Sequence, residues 1–189
     1  MSDFNTDFVS ALAQSQAYQE ALSIVRTNSE GRIWLIGGSV YRTLAQQMYG
    51  KCVAPKDWDF IIEHSKISLL LPEGWTAREN RFGNPKLVKG NQEIDCIPLQ
   101  NIIMIQKKGL QPTIDNFLIC SPLTVQSIAF DIAKQRLLGE QGFDALQRRV
   151  VEVQDREIAV YAAQKKRMTL NDYIQEKATS LGFTPIFPE

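Results

Sequence analysis

Histidine and cysteine are scarce in this sequence. Its 189 residues include one histidine, His64, and three cysteines, Cys52, Cys96 and Cys120. No cysteines are spaced as C-x-x-C, so the sequence predicts reduced thiols that fill the core and excludes a disulfide framework and most zinc sites. A nucleophile site that needs histidine would depend on His64 alone, and the position of His64 just past a strand is typical of a turn residue.

Net charge and long apolar runs are also lacking. Lys+Arg and Asp+Glu each number 21, so the formal net charge is zero and no global field attracts nucleic acid or an anionic membrane. No apolar run approaches the roughly 20 residues that span a bilayer. The N-terminal stretch "MSDFNTDFVSALAQ" lacks the basic start and apolar centre of a signal peptide. We therefore expect a cytoplasmic protein without a membrane partner.

The first part of the chain has alternating helix and strand signals. Apolar spacing predicts one amphipathic helix over about residues 5–26, and the continuous apolar run Ile33–Ile36 predicts a buried strand. Gly37 and Gly38 form a sharp break, and a helix with apolar residues at helical spacing then runs to Gly50. The sequence therefore predicts a strand, a glycine turn and a helix in succession.

The middle of the chain is rich in strands and the end is rich in helices. The segment "DWDFIIE" and three short segments separated by turns at residues 83–85 and 90–91 predict consecutive strands. The segment "LTVQSIAFDIAKQRLLGEQG" is typical of a strand or hairpin, whereas "FDALQRRVVEV" and most of residues 155–181 predict helices. We expect an α+β protein with a helical C-terminal tail.

Two pairs of carboxylates are the main candidates for chemistry. Asp57 and Asp59 are two residues apart, as are Glu93 and Asp95, and alternate residues of a strand share one face. If the two strands are neighbours, three or four carboxylates converge, which is costly unless cations neutralise them. Oxygen ligands select hard ions, so Mg²⁺ or Mn²⁺ is the expected cofactor. Paired metal ions suit phosphoryl transfer.

The glycine turn has a matching use. Gly37 and Gly38 have no side chain, so a triphosphate can approach their backbone, and the helix that begins near Ser39 offers N–H donors. Ser39 adds a hydroxyl donor. A tight strand-to-helix turn and polar residues on half-exposed strands are the plain alternatives for the two motifs. The order of the motifs along the chain favours the phosphate interpretation.

These residues resemble the head domain of the poly(A) polymerase and CCA-adding tRNA nucleotidyltransferases, within the DNA polymerase β-like nucleotidyltransferase superfamily. "IWLIGGSVYRTLAQQMYG" is similar to the family's strand, Gly-Gly-x-Val-Arg-Asp turn and helix, and "PKDWDF" to its Asp-x-Asp strand. "RFGNPKLVKGNQEIDCIPL" resembles the hairpin that ends in the third acid, and "LTVQSIAFD" and "GEQGFDALQRRVVEV" resemble later segments. The resemblance covers about residues 32–153. It implies a small mixed sheet flanked by helices, with a head domain over 1–153 and a helical appendage over 154–189.

The resemblance also implies roles for these residues. Asp57, Asp59 and Asp95 would be catalytic and bind the metals, with Glu93 as the alternative third acid. Gly37, Gly38, Ser39 and Arg42 would bind the nucleotide. The implied activity is transfer of a nucleoside monophosphate from an NTP to a hydroxyl-bearing acceptor, with release of pyrophosphate. RNA is one acceptor that the resemblance allows. The charge of the chain does not indicate RNA binding, because acidic neighbours balance the basic segment "QKKRM".

Departures from the family's pattern keep a second function open. Tyr41 and Arg42 stand where the family has Arg-Asp, so the arginine is missing or displaced by one residue, and residues 120–122 replace a family Arg-Arg-Asp. The loss of charge-assisted contacts worth roughly 1.5–3 kcal/mol each weakens NTP binding of the family's type. A noncatalytic binding or regulatory module with the same fold is therefore the alternative hypothesis.

Overall fold

The computed structural model describes residues 2–50, 57–80 and 83–188. Cys52 lies outside the described residues, as do Pro55 and Lys56 of the Asp-x-Asp segment. The helices are α1 Ser2–Gln14, α2 Gln16–Asn28, α3 Gly38–Tyr49, α4 Ile103–Lys107, α5 Ile114–Ile119, α6 Glu140–Arg148, α7 Arg156–Lys165 and α8 Leu170–Leu181. The strands are β1 Ser29–Ile36, β2 Trp58–Ser65, β3 Thr76–Glu79, β4 Pro85–Lys89, β5 Gln92–Pro98, β6 Ala129–Asp131, β7 Arg136–Leu138, β8 Val150–Val151 and β9 Thr184–Pro185.

The N-terminal segment forms two helices, so the prediction of one continuous helix was wrong. Ser15 separates α1 from α2 and has extended backbone dihedrals. Its hydroxyl accepts a hydrogen bond from the amide of Tyr18 at 3.2 Å, which is the N-cap arrangement that serine favours. Both helices then pack apolar side chains on the same core, including Phe8 of α1 and Leu22 of α2.

Seven strands form one mixed sheet in the order β3-β4-β5-β2-β1-β6-β7. β1 lies antiparallel to both β2 and β6, whereas β2 and β5 are parallel neighbours. β3, β4 and β5 form the predicted succession of strands, and β6 and β7 form the predicted hairpin. Parallel pairing of β2 with β5 is decisive for the site, because it places the two carboxylate pairs on adjacent strands.

Helices cover both faces of the sheet, which confirms the predicted fold class. Phe60 and Ile62 of β2 face the larger apolar cluster, which α1, α2, α3, α6 and α8 help to form. Ile61 points to the other face, where it packs near Ile114 and Leu118 of α5. A strand that is apolar on both faces in this way belongs in the middle of a covered sheet.

The C-terminal tail shares the larger cluster with the rest of the chain. Ile174 and Leu181 of α8 are buried there, and β8 pairs in parallel with β9. The predicted helix over "FDALQRRVVEV" was wrong at its end, because α6 stops at Arg148 and Arg149 adopts a left-handed conformation (φ 56°). The division at residue 153 stays a prediction.

Two smaller expectations have a clear outcome in the described residues. Cys96 and Cys120 are free and buried, as predicted for core thiols. None of the described helices combines the length and the apolar character needed to cross a bilayer.

Candidate active site

The glycine turn between β1 and α3 has a backbone that requires glycine at its first position. Gly37 has φ 72° and ψ −151°, a region that is essentially restricted to glycine. A Cβ on Gly37 would lie 2.5 Å from Oδ2 of Asp59. The missing side chain therefore lets the turn approach the carboxylate of Asp59 closely.

Helix α3 begins at this turn with unused donors. Its first hydrogen bonds run from the amides of Val40 and Tyr41 to the carbonyl oxygen of Gly37, at 3.1 and 3.2 Å. The amides of Gly38 and Ser39 have no acceptor inside the helix, since the first turn of any helix leaves such donors. No acidic residue lies in the first turn of α3. The helix N-terminus therefore retains its preference for an external anion.

Strand register brings Asp59 and Asp95 together. Asp59 is the partner of Ile36 on β1 and of Asp95 on β5, so it lies between the glycine turn and the second acid. The opposite face of β2 is apolar: Phe60 is fully buried, and the ring of Trp58 lies 5.4 Å from that of Tyr18. The predicted alternation is confirmed from Trp58 onward, whereas Asp57 precedes the strand. The register places Asp95, and not Glu93, directly beside Asp59.

The carboxyl group of Asp59 is buried beside other acidic side chains, and its pKa is raised. Burial, followed by the charges of Asp95 and Asp57, raises the pKa of Asp59 to about 7, although Lys86 opposes the shift. A carboxylate with such a pKa binds a proton or a cation readily near neutral pH. Asp57 itself is exposed and directly precedes β2.

Glu93 and Asp95 both form ion pairs with the side chain of Lys86. Nζ of Lys86 lies 2.6 Å from Oε2 of Glu93 and 3.3 Å from Oδ2 of Asp95. Arg78 forms a second ion pair with Glu93 at 2.8 Å. Although burial alone would lower it, the pKa of Lys86 is raised, mainly by its hydrogen bond to Glu93 and the charge of Asp95. Glu93 is therefore satisfied by side chains of the neighbouring hairpin strands.

The donor set fits a divalent cation in part. Asp59 and Asp95 are adjacent carboxylates, and burial and the nearby charges raise the pKa of Asp59, which is the signature of a site that gains from a hard cation. Within the described part of the chain, however, no group of three or more His, Cys, Asp or Glu residues is arranged to hold a metal ion. Two of the predicted metal ligands, Asp59 and Asp95, are therefore neighbours, and no third acidic, histidine or cysteine side chain among the described residues joins them in such a group.

Two of the candidates for nucleotide binding, Ser39 and Arg42, differ in what their side chains contact. The hydroxyl of Ser39 is fully buried and donates to the carbonyl oxygen of Ile36 at 2.8 Å, so in this state it secures the turn. Nε of Arg42 lies 3.5 Å from the position that a Cβ would take on Gly38. The side chain of Arg42 therefore reaches the glycine turn although it is displaced by one residue from the family's arginine.

Lys86 is a site residue that the sequence reasoning missed. The turn at Gly90 and Asn91 connects two strands in which Lys89 pairs with Gln92, and counting back along the hairpin places Lys86 opposite Asp95. A two-residue hairpin loop fixes such a register. The sequence thus contained the information needed to find Lys86, because cross-strand partners can be counted outward from the turn.

The fold is similar to that of solved CCA-adding and tRNA-processing enzymes. The Bacillus stearothermophilus CCA-adding enzyme in complex with CTP has 14% sequence identity and a TM-score of 0.60, over 92% of this chain and 42% of that one. A CCA-adding enzyme with ATP has 18% identity and a TM-score of 0.54, over 82% and 36%. A tRNA-processing enzyme with CTP has 18% identity and a TM-score of 0.52, over 82% and 40%.

The similarity is one of fold. This chain spans less than half the length of each of the three proteins. No family model and no curated protein matches its sequence. At identities of 14–18% the shared feature is a nucleotidyltransferase-like fold, and the resemblance expected from the sequence motifs is confirmed at that level.

Proposed function

We propose that this protein is a metal-dependent nucleotidyltransferase that moves a nucleoside monophosphate from an NTP to a hydroxyl-bearing acceptor. The observation that carries the proposal is the position of Asp59, in register with Asp95 and in contact range of the glycine turn. Acid groups for a cation and backbone donors for an anion thus meet at one point. A metal-bound triphosphate has that combination of charges.

In this proposal each element has a role. Asp59 and Asp95, with Asp57 as the third predicted ligand, would hold Mg²⁺ or Mn²⁺, which when bound would neutralise charge on the phosphates and the leaving pyrophosphate. The amides at Gly38 and Ser39 hold phosphate oxygens. The oxygen of the acceptor hydroxyl would bond to the α-phosphorus while the bond to pyrophosphate breaks. Asp95 would accept the proton that this hydroxyl loses.

The test is label transfer with matched variants. The protein is incubated with Mg²⁺ or Mn²⁺, each α-labelled NTP, and tRNA, other RNA or protein as acceptor. We expect label transfer and pyrophosphate release that Asp59→Asn abolishes. Asp115→Asn is the control, since Asp115 is an exposed residue in the first turn of α5. Transfer that persists in Asp59→Asn would contradict the assigned site.

A noncatalytic binding module is the second candidate, and Lys86 is the observation that favours it. Its ammonium pairs with both Glu93 and Asp95 and offsets part of their negative charge, which lowers the need for a metal ion. This candidate predicts that an NTP binds and raises the melting temperature by mass action, while no acceptor becomes labelled. Label transfer by the wild-type protein would exclude it.

The acceptor belongs to the proposal as well. The similar solved structures are of enzymes described as CCA-adding or tRNA-processing, so tRNA is the first acceptor to test. The charge balance of this chain does not favour a long RNA. A short nucleic acid or another hydroxyl compound is therefore included in the same series.

A further inference from the structure

Lys177 of α8 extends to α3 and contacts Tyr41. Its Nζ donates a hydrogen bond to the hydroxyl oxygen of Tyr41 at 2.8 Å and lies 5.3 Å from the centre of the ring. None of the ion pairs among the described residues includes Lys177. Its ammonium therefore contacts a hydroxyl dipole and an aromatic face, and no carboxylate of the described residues lies within ion-pair distance of it.

The hydroxyl group of Tyr41 has an unused hydrogen-bond donor among the described residues. Its side chain is 4% exposed, and its oxygen accepts the hydrogen bond from Lys177. The proton of the Tyr41 hydroxyl has no acceptor in the hydrogen bonds of the described residues, although a buried hydroxyl normally has one. An acceptor supplied by a ligand would satisfy it.

These groups surround one point at the start of α3. The hydroxyl oxygen of Tyr41 lies 3.8 Å, and Nε of Arg42 3.5 Å, from the position that a Cβ would take on Gly38. Arg42 and the Tyr41 hydroxyl thus lie at ordinary contact distance around the missing side chain of Gly38, in the first turn of α3. Lys177 lies next to that hydroxyl.

The position of Lys177 is set by packing. Tyr173 and Ile174 of α8 are buried in the same apolar cluster as Tyr41, and the hydroxyl of Tyr173 donates to Oε1 of Gln126 at 3.2 Å. This burial fixes one face of α8 against the body of the protein. Lys177 is thereby held beside α3, which limits the conformational entropy it would lose on binding a ligand.

We propose that Lys177, Arg42 and the hydroxyl of Tyr41 form a polyphosphate-binding subsite with the first amides of α3. The inference rests on the proposed function, because it assigns the phosphates of the NTP to this end of the site. Arrays of cations and backbone donors bind phosphate strongly. The adjacent carboxylate of Asp59 would repel a simple anion, so a polyphosphate that carries a metal ion is the ligand class that fits both sides.

The subsite gives the C-terminal tail a role. α8 would supply a cation to the nucleotide site, and the tail would be part of the substrate-binding structure. Removal of the positive charge of Lys177 should therefore weaken nucleotide binding, whether or not the acceptor is RNA.

Binding of ATP and of inorganic tripolyphosphate, each with Mg²⁺, tests the subsite by calorimetry. We expect Lys177→Met to weaken the Kd of both probes about tenfold or more, as for the loss of one charged hydrogen bond. Lys177→Arg keeps the charge and should retain most of the affinity. The matched control is Lys134→Met, because Lys134 is an exposed lysine in the turn between β6 and β7 and should leave both Kd values unchanged.

Gly38→Ala is a second variant that leaves Lys177 in place. Its new methyl group would occupy the point between Tyr41 and Arg42 at ordinary contact distances, and alanine is favoured over glycine in a helix. We expect a similar loss of ATP affinity with no fall in melting temperature. Wild-type affinity in folded Lys177→Met or in Gly38→Ala would overturn the inference.

The outcomes separate this inference from the proposed function. Wild-type protein that transfers label while Lys177→Met binds ATP equally well would overturn the subsite alone. Wild-type protein that binds tripolyphosphate through Lys177 but labels no acceptor would support the subsite and contradict catalysis.

Discussion

Replacement of Asp59 by asparagine should stabilise the protein above neutral pH while it removes activity. Burial and the charges of Asp95 and Asp57 raise the pKa of Asp59 from 3.8 to about 7. Asparagine has nearly the same shape and no charge. The variant therefore removes a buried negative charge and its repulsion with the neighbouring carboxylates, and it leaves the packing of β2 intact.

The pH window and the magnitude follow from that pKa. Between the two pKa values the folded state retains a proton that the unfolded state releases, so the stability of the wild type falls as pH rises through this window. A shift of about three pKa units corresponds to at most about 4 kcal/mol of unfolding free energy. We expect Asp59→Asn to exceed the wild type in stability by up to that amount at about pH 8 and to match it at about pH 4.

Urea unfolding at a series of pH values, without divalent ions, measures this difference. Asp115→Asn is the control and should follow the pH dependence of the wild type, because the charge of this exposed residue interacts weakly. Added Mg²⁺ should stabilise the wild type at high pH and leave Asp59→Asn nearly unchanged. If the free energies of unfolding of the wild type and of Asp59→Asn depend on pH in parallel, the interpretation that the pKa of Asp59 is raised in the folded state would be refuted.

Three further substitutions test other parts of the structure. Gly37→Ala should lower the free energy of unfolding by about 1–3 kcal/mol in urea, because of its backbone dihedrals and the 2.5 Å approach to Asp59; wild-type stability would contradict the described turn. Lys86→Met should tighten Mn²⁺ binding several-fold, as followed by electron paramagnetic resonance, because it removes a competing cation; equal affinity would show that Lys86 does not compete. Arg32→Met should cost about 1–3 kcal/mol near neutral pH, because fully buried Asp131 loses its 2.8 Å partner. The pKa of Asp131 is lowered, so this loss should disappear as pH falls through that pKa, and a pH-independent loss would point to packing.

The outcome for Ser15 shows where local reasoning was incomplete. Apolar spacing correctly placed helical residues on both sides of Ser15, but it could not show that Ser15 interrupts the helix with an extended backbone. A serine can lie inside a helix or cap one, and the choice depends on which direction buries more apolar surface. Phe8 and Leu22 reach the same core only because α1 and α2 are separate helices.

The end of α6 is a second case. Val150 and Val151 continue the apolar spacing of the helix in sequence, yet they form β8 and pair with Thr184 and Pro185. The partner strand lies more than thirty residues away along the chain. β-branched residues accept either state locally, so the distant strand decided the outcome.

The sequence by itself determined the local features of the candidate site. Spacing and backbone sterics account for the buried strand that ends at Gly37 and Gly38, for the alternation that puts Asp59 on the face opposite Phe60, and for the short hairpin before Asp95. Tertiary structure alone decided which of these features meet. Parallel pairing of β2 with β5 placed Asp59 beside Asp95, and the packing of α8 brought Lys177 to Tyr41, 136 positions away. Contacts of that separation depend on how whole elements pack, because loop closure and shared burial are properties of the complete chain.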